Sequence, residues 1–289
     1  MERLSSMREI KRRIRAISNI QHVTGAMKMV AAAKLRRAQG QVWAARPYAQ
    51  KTAEVAGRLA RAPNARQLPL VAPREVKKRC NLLVVGDRGL AGAYNANVIH
   101  VAHASLLKAD QPTSLIIVGR KGVQFFRRRK VEILQYYVET GDEPDLALAR
   151  EIARNLMEIF LNGQVDEVGL IYSRFYSALR HVPQVETLLP VEAPAVETVE
   201  TVDYLYEPEP VKVLEAILPR YCEMKVYQAL LEAKASELGA RMVAMDAATK
   251  NSGEVIEKLT LSFNKARQSA ITTELLEVAS GAEAMKAQG

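Results

Sequence analysis

The sequence predicts an α/β domain carried between two long helices that pair as an antiparallel coiled coil. Three observations predict it. Proline is missing from Glu2 to Arg46 and again from Arg220 to Gly289. Apolar residues in both stretches recur at alternating steps of three and four, the spacing of a coiled-coil seam rather than of a lone surface helix. The middle, from Lys77 to Pro210, alternates short β-branched runs with helical stretches and holds most of the turns. The division expected is a coiled-coil helix over 1–58, a linker over 59–76, an α/β domain over 77–210 and a second coiled-coil helix over 211–289.

The N-terminal seam reads Met7, Ile10, Ile14, Ile17, Gln21, Thr24, Lys28, Ala31, Leu35, Ala38, Val42 and Ala45. Its C-terminal counterpart reads Tyr221, Met224, Gln228, Leu231, Ala235, Leu238, Met242, Met245, Thr249, Ser252, Ile256, Leu259, Phe263 and Ala266. Each end supplies one seam with a compact domain between them, so the economical arrangement folds the chain back on itself as an antiparallel pair. At a rise of about 1.5 Å per residue the first helix reaches ~80 Å and the second ~110 Å, so the second overhangs the first. Its last turns, Ile271, Leu275, Leu276, Val278, Ala279, Ala282 and Met285, are apolar around more than one face, which a helix end left in water disfavours. A dimerising coiled coil or a helical bundle accounts for the same periodicity. Against it, Ala, Thr and Ser recur where a self-sufficient zipper uses Leu and Ile, so the pair is slim and shaped for further neighbours.

In the middle, strands are expected at Cys80–Val85, Ser114–Val118, Val131–Val138 and Glu167–Ser173. Helices are expected at Ala93–Leu107, from Gly122 to Arg128 and at Asp145–Phe160, with a last extended stretch over Pro183–Val191. This alternation implies a Rossmann-like, mostly parallel sheet with helices packed on it.

Composition narrows the function. Among 289 residues, 41 Lys and Arg face 32 Asp and Glu, a net charge of +9 that favours acidic partners: nucleic acid, anionic lipid or an acidic protein surface. Two distant cysteines, Cys80 and Cys222, imply neither a structural disulfide nor a zinc site, and suit a reducing compartment. No apolar run approaches the roughly 20 residues that cross a bilayer. The Arg-rich start resembles a transit peptide, but Glu2 and Glu9 and the unbroken pattern assign it to the mature protein.

Candidate chemistry is sparse. Gly86-Asp-Arg-Gly-Leu-Ala-Gly92 follows the first strand, where a dinucleotide fold places its phosphate loop, but lacks both the G-x-G-x-x-G spacing and a closing Gly-Lys-Ser/Thr. Arg88, close to a helix N-terminus, could hold an anion. His22, His100, His103 and His181 form no metal or triad spacing, and His100 with His103 reads as solvent-exposed. The cluster Lys11, Arg12, Arg13 and Arg15 is either a solvated helix face or a basic collar facing acidic loops on a partner. A basic coiled coil that binds nucleic acid is a rival reading, with few aromatics beside its cations to support it. A nucleotide-dependent enzyme using Gly86 to Gly92 is another.

The segment Arg241 to Glu283, RMVAMDAATKNSGEVIEKLTLSFNKARQSAITTELLEVASGAE, strongly resembles the C-terminal signature of the ATP synthase gamma subunit. Gly25–Lys34 (GAMKMVAAAK), Asp87–Asn95 and Asp203–Pro210 (DYLYEPEP) look like the same family in the same order, and the resemblance covers essentially the whole chain. It implies a non-catalytic rotary stalk inside a ring of three alpha and three beta subunits, linked to a proton-driven membrane ring beside the epsilon subunit. The location implied is peripheral, on the cytoplasmic face of a bacterial plasma membrane. No cofactor, nucleic acid or direct nucleotide binding is expected. Residues matching the family's beta-subunit contacts are Met27, Arg241, Arg267, Gln268 and Thr272, and Tyr204 and Tyr206 fall in the region of the foot near the membrane ring. The cysteine-containing segment inserted in chloroplast members is absent, so thiol control is not expected.

Overall fold

The structure, a computed structural model, describes residues 2–61, 64–141, 143–191, 207 and 209–286. The chain divides into two units, one formed by residues 1–30 with 244–289 and the other by residues 31–243. Two helices contribute to both units: α1, Glu2–Leu59, and α5, Pro210–Lys286. Pro47 lies inside α1 and Pro219 inside α5. Each removes one backbone donor yet leaves the helix unbroken, because packing over many turns outweighs a single lost bond.

In the first unit the helices run antiparallel. As α1 advances through Gln21, Thr24 and Lys28, its partners retreat along α5 through Gly253, Thr249 and Asp246. The hydroxyls of Thr24 and Thr249 lie 2.9 Å apart, and a Cβ on Gly253 would come within 3.1 Å of the Gln21 amide nitrogen. Small residues on the seam let the backbones approach this closely.

The second unit holds a five-stranded sheet in the order β3-β2-β1-β4-β5. Its strands are β1 Arg79–Val84, β2 Thr113–Val118, β3 Ile133–Tyr137, β4 Glu167–Phe175 and β5 His181–Leu189. The first four are parallel, and β5 closes one edge antiparallel to β4, which the expected extended stretch over Pro183–Val191 left without a direction. The three helices between strands are α2 Tyr94–Lys108, α3 Arg120–Arg127 and α4 Leu146–Leu161. Helix α3 starts two residues before the expected Gly122. Asp145 caps α4, accepting from the Ala147 N–H at 3.1 Å.

Alternation along the buried strands sorts the core into two layers. Leu83, Val85, Leu115 and Ile117 pack with Val98, Ile99 and Phe126 of α2 and α3. On the opposite face Leu82, Val84, Ile116 and Leu170 meet Ile152, Leu156 and Phe160 of α4 together with Ala56 and Leu59 of α1 and Leu214, Leu218 and Cys222 of α5. A third cluster joins Leu35, Ala38 and Val42 of α1 to Leu231, Ala235 and Leu238 of α5, with Phe175 at the end of β4. Between these, α5 passes the carboxyl end of the sheet, so residues 229–240 are buried around nearly the whole helix.

Candidate functional site

Every described seam position, on both helices, is buried or half-buried. The matching steps along α1 and α5 in the first unit bring the start of α1 level with the turn of α5 around Thr272. Beyond it α5 has no helix beside it among the described residues, and Ile271, Leu275, Leu276 and Val278 are exposed, Leu275 at 65% and Val278 at 67%. An uncovered run of this kind marks a surface made for another molecule.

Thr272 is exposed at the start of that stretch and Arg267 and Gln268 just before it, whereas Met27 on α1 is half-buried. Sequence reading missed how the hydroxyls from Thr260 to Thr273 are arranged. Thr272 donates to the Gln268 carbonyl at 2.9 Å, Thr260 to Ile256 at 2.8 Å, Ser262 to Lys258 at 3.0 Å and Thr273 to Ser269 at 2.9 Å. Each polar group is turned onto its own helix, leaving methyl and methylene groups outward. Arg267 and Gln268 are therefore the extended polar side chains of this turn. An exposed apolar line on α1, Ile20, Val23 and Val30 with Met29 beside it, was also missed. Its signal was present as steps of three and seven displaced from the seam.

The basic collar lies on exposed positions of α1. Arg13 pairs with Glu9 one turn back at 2.6 Å, while Lys11, Arg12 and Arg15 have no ion-pair partner among the described residues. Three cations thus stay available to an acidic surface.

Arg241 lies in the second unit, and its guanidinium is engaged within the chain. It donates to Glu237 Oε1 at 2.5 Å and to the Gly89 carbonyl at 3.3 Å. Glu237 reaches the loop after β1, where a Cβ on Gly86 would lie 3.0 Å from the carboxyl carbon. Asn95 clamps the same loop, accepting from the Gly86 N–H at 2.8 Å and donating to the Arg88 carbonyl at 3.2 Å. Asp87 accepts from the N–H groups of Arg120 at 2.8 Å and Glu139 at 3.1 Å, capping α3 from a neighbouring loop. The Gly86–Gly92 turn is thus held by side chains of this chain, and the Glu237 carboxylate, paired with Arg241, fills the space beside its first glycine. Arg88 is exposed.

The remaining candidates are placed as follows. His100 is exposed, but His103 packs its ring 5.8 Å from Phe125, so the expected solvent exposure of the pair holds for one member. His181 is held below its ordinary pKa by burial. No group of three or more His, Cys, Asp or Glu able to hold a metal occurs among the described residues, and none of their helices is long and apolar enough to cross a membrane. Tyr204 and Tyr206 lie outside the described residues.

Two helices from opposite chain ends, an uncovered apolar end and a doubly covered α/β sheet define a class, and comparison with known proteins agrees. A family model described as ATP synthase matches residues 6–285. The ATP synthase gamma chain of Moorella thermoacetica is 58% identical over 98% of this chain and all of the relative, and that of Heliobacterium modesticaldum is 47% identical with the same coverage. Among solved structures, the central stalk and c-ring of the Tetrahymena thermophila mitochondrial ATP synthase includes a chain 25% identical, with a TM-score of 0.60 over 78% of this chain and 99% of that one. A chain of the Euglena gracilis mitochondrial ATP synthase shares the fold, with a TM-score of 0.70 at 18% identity over 98% of this chain and 95% of that one. The chain belongs to the ATP synthase gamma chain family.

Proposed function

We propose that this chain is the central rotary shaft of a proton-translocating ATP synthase, coupling rotation of a membrane c-ring to conformational cycling of catalytic beta subunits, with no active site of its own. The observation that carries the reading is the uncovered end of α5, where Ile271, Leu275, Leu276 and Val278 are exposed and the Thr272 and Thr273 hydroxyls are turned onto the helix. Such a surface gains by being enclosed. Its Thr272 and Thr273 hydroxyls are satisfied on the helix, so turning breaks no hydrogen bond of theirs, each worth about 1 kcal/mol, and the exposed carboxylates are Glu274 and Glu277. A sleeve of alpha and beta subunits fits it.

Asymmetry is the working property. A rod that touches three beta subunits differently shifts each toward a different conformation, provided its contacts differ between those conformations by a few kcal/mol. Arg267, Gln268 and Thr272, with Met27 and Arg241, are the proposed beta contacts, and Lys11, Arg12, Arg13 and Arg15 the collar facing acidic beta loops. The segments 1–58 and 211–289 would act as the shaft, 59–76 as linker and 77–210 as the part meeting epsilon and the c-ring, with Tyr204 and Tyr206 near that foot. The complex would sit peripherally on the cytoplasmic face of a bacterial plasma membrane.

Co-expression with the alpha, beta and epsilon subunits tests the reading. A purified complex holding three alpha and three beta subunits per copy of this chain supports it, and recovery of the chain without them contradicts it.

A further inference from the structure

A parallel α/β unit brings the amino ends of its strands and the carboxyl ends of its intervening helices to one end. In the second unit that end holds five cations against the exposed carboxylates Asp110 and Glu132, each two residues past a cation. Lys108 closes α2, and Arg127, Arg128, Arg129 and Lys130 close α3 and continue past it. All five are exposed, and Lys108, Arg127, Arg128 and Lys130 have no ion-pair partner among the described residues. Cations in a helix's last turn offset its dipole, which accounts for Lys108 and Arg127 but not for the three that follow.

The cations are contiguous and interleaved with uncovered apolar groups. His103, one turn before the end of α2, meets the Phe125 ring of α3, and the Arg129 guanidinium stacks 3.5 Å from the centroid of that same ring. Arg127 lies 4.9 Å over Tyr136 of the edge strand β3. Leu107 is 75% exposed, and Leu134 and Tyr136 are exposed on β3. Guanidiniums held on aromatic rings present planar donors suited to phosphate, and Leu and Tyr beside them suit the boundary between headgroups and acyl chains.

We propose that this end of the α/β unit binds the anionic headgroups of a lipid bilayer. The proposal rests on the reading above only in that the reading brings the chain to a membrane surface. Charge complementarity selects the partner, and the exposed Leu107, Leu134 and Tyr136 favour a bilayer over an acidic protein loop, which would leave them uncovered.

The test is sedimentation of the full chain with vesicles of phosphatidylcholine alone and of phosphatidylcholine with about one-third phosphatidylglycerol. The expected result is binding to the anionic vesicles only, weakening as salt is raised. At about fivefold per cation, the triple variant Arg127→Gln, Arg128→Gln, Lys130→Gln should lose roughly a hundredfold in partitioning. Removing equal charge elsewhere, by Arg220→Gln, Lys258→Gln and Lys265→Gln, should change it by no more than about twofold. Circular dichroism and the melting temperature of both variants monitor folding. Absence of binding to anionic vesicles, or equal loss in the two variants, overturns the proposal. So does the outcome in which the chain ignores vesicles while the first variant fails to assemble with the partner subunits, which assigns the patch to an acidic protein surface. Assembly of the unmodified chain is read separately, so failure here leaves the shaft reading standing.

Discussion

Lys28 and Asp246 meet across the helix pair of the first unit, Nζ to Oδ1 at 2.5 Å, and Lys250 reaches the other carboxylate oxygen at 2.9 Å. One carboxylate therefore ties α1 to α5 within a seam of small residues.

That pairing predicts an acid-sensitive clasp. Hydrogen bonds from Lys28, then from Lys250, hold the Asp246 pKa at about 2, below its ordinary value of 3.8. A depressed carboxylate contributes stability that is complete above its unfolded pKa and is lost as pH falls through the folded one. Amide protection around Thr24 to Lys28 should accordingly be level above about pH 5 and fall between about pH 4 and about pH 2. In Asp246→Asn this acid-dependent loss should be absent. Hydrogen exchange across that range checks it, and an identical acid profile in the variant removes Asp246 from the account.

A second prediction concerns Glu232, which is fully buried on α5. Its carboxylate accepts from the Phe175 N–H at 3.2 Å and lies 3.4 Å from Arg46 of α1, which also donates to the Phe175 carbonyl at 2.6 Å. Removing one partner of a buried ion pair leaves the other charge uncompensated and costs about 3 kcal/mol or more. Glu232→Ala should lower stability by that amount in denaturant titration, and Glu232→Gln, which keeps an acceptor for the Phe175 N–H but loses the charge opposite Arg46, by a smaller amount.

Glycines supply a third prediction of opposite signs. Gly119 has φ +107°, and a Cβ there would lie 2.1 Å from the Val85 carbonyl oxygen, so Gly119→Ala should cost at least about 2 kcal/mol. Gly40 lies inside α1 with open space around it, and Gly40→Ala should add up to about 1 kcal/mol. Thermal melts of the two variants compare them directly.

These residues show where the sequence was legible. The seam from Met7 to Ala45 and from Tyr221 to Ala266 could be read because a steric period repeats locally, and each described position is buried or half-buried. Strand identities in the middle followed from β-branched runs, with ends displaced by one or two residues. What escaped was the crossing of α5 over the sheet. Glu232, Ser236 and Glu237 look like surface residues in sequence, yet their partners Phe175, Ser173 and the Gly86 loop lie in segments far away along the chain. The density of Ala229, Ala233, Ala235 and Ala240 was the available hint of a helix packed on two sides. The uncovered end of α5 was legible as apolar residues on more than one face, but its inward-turned hydroxyls depend on rotamers that composition does not reveal.

A fourth prediction separates coupling from folding. Arg267 and Gln268 are exposed, so their joint replacement by Ala should change stability by no more than about 0.5 kcal/mol. If they act as a catch on the beta subunits, ATP synthesis by reconstituted enzyme in vesicles should fall severalfold while the complex still assembles. Unchanged synthesis removes that role.

Rotation itself tests the central claim most directly. With alpha and beta subunits fixed to a surface and a bead attached to the α/β unit of this chain, addition of ATP should drive sustained rotation in one direction that stops when ATP is withdrawn. A complex that hydrolyses ATP while the bead shows only undirected fluctuation would contradict the shaft reading.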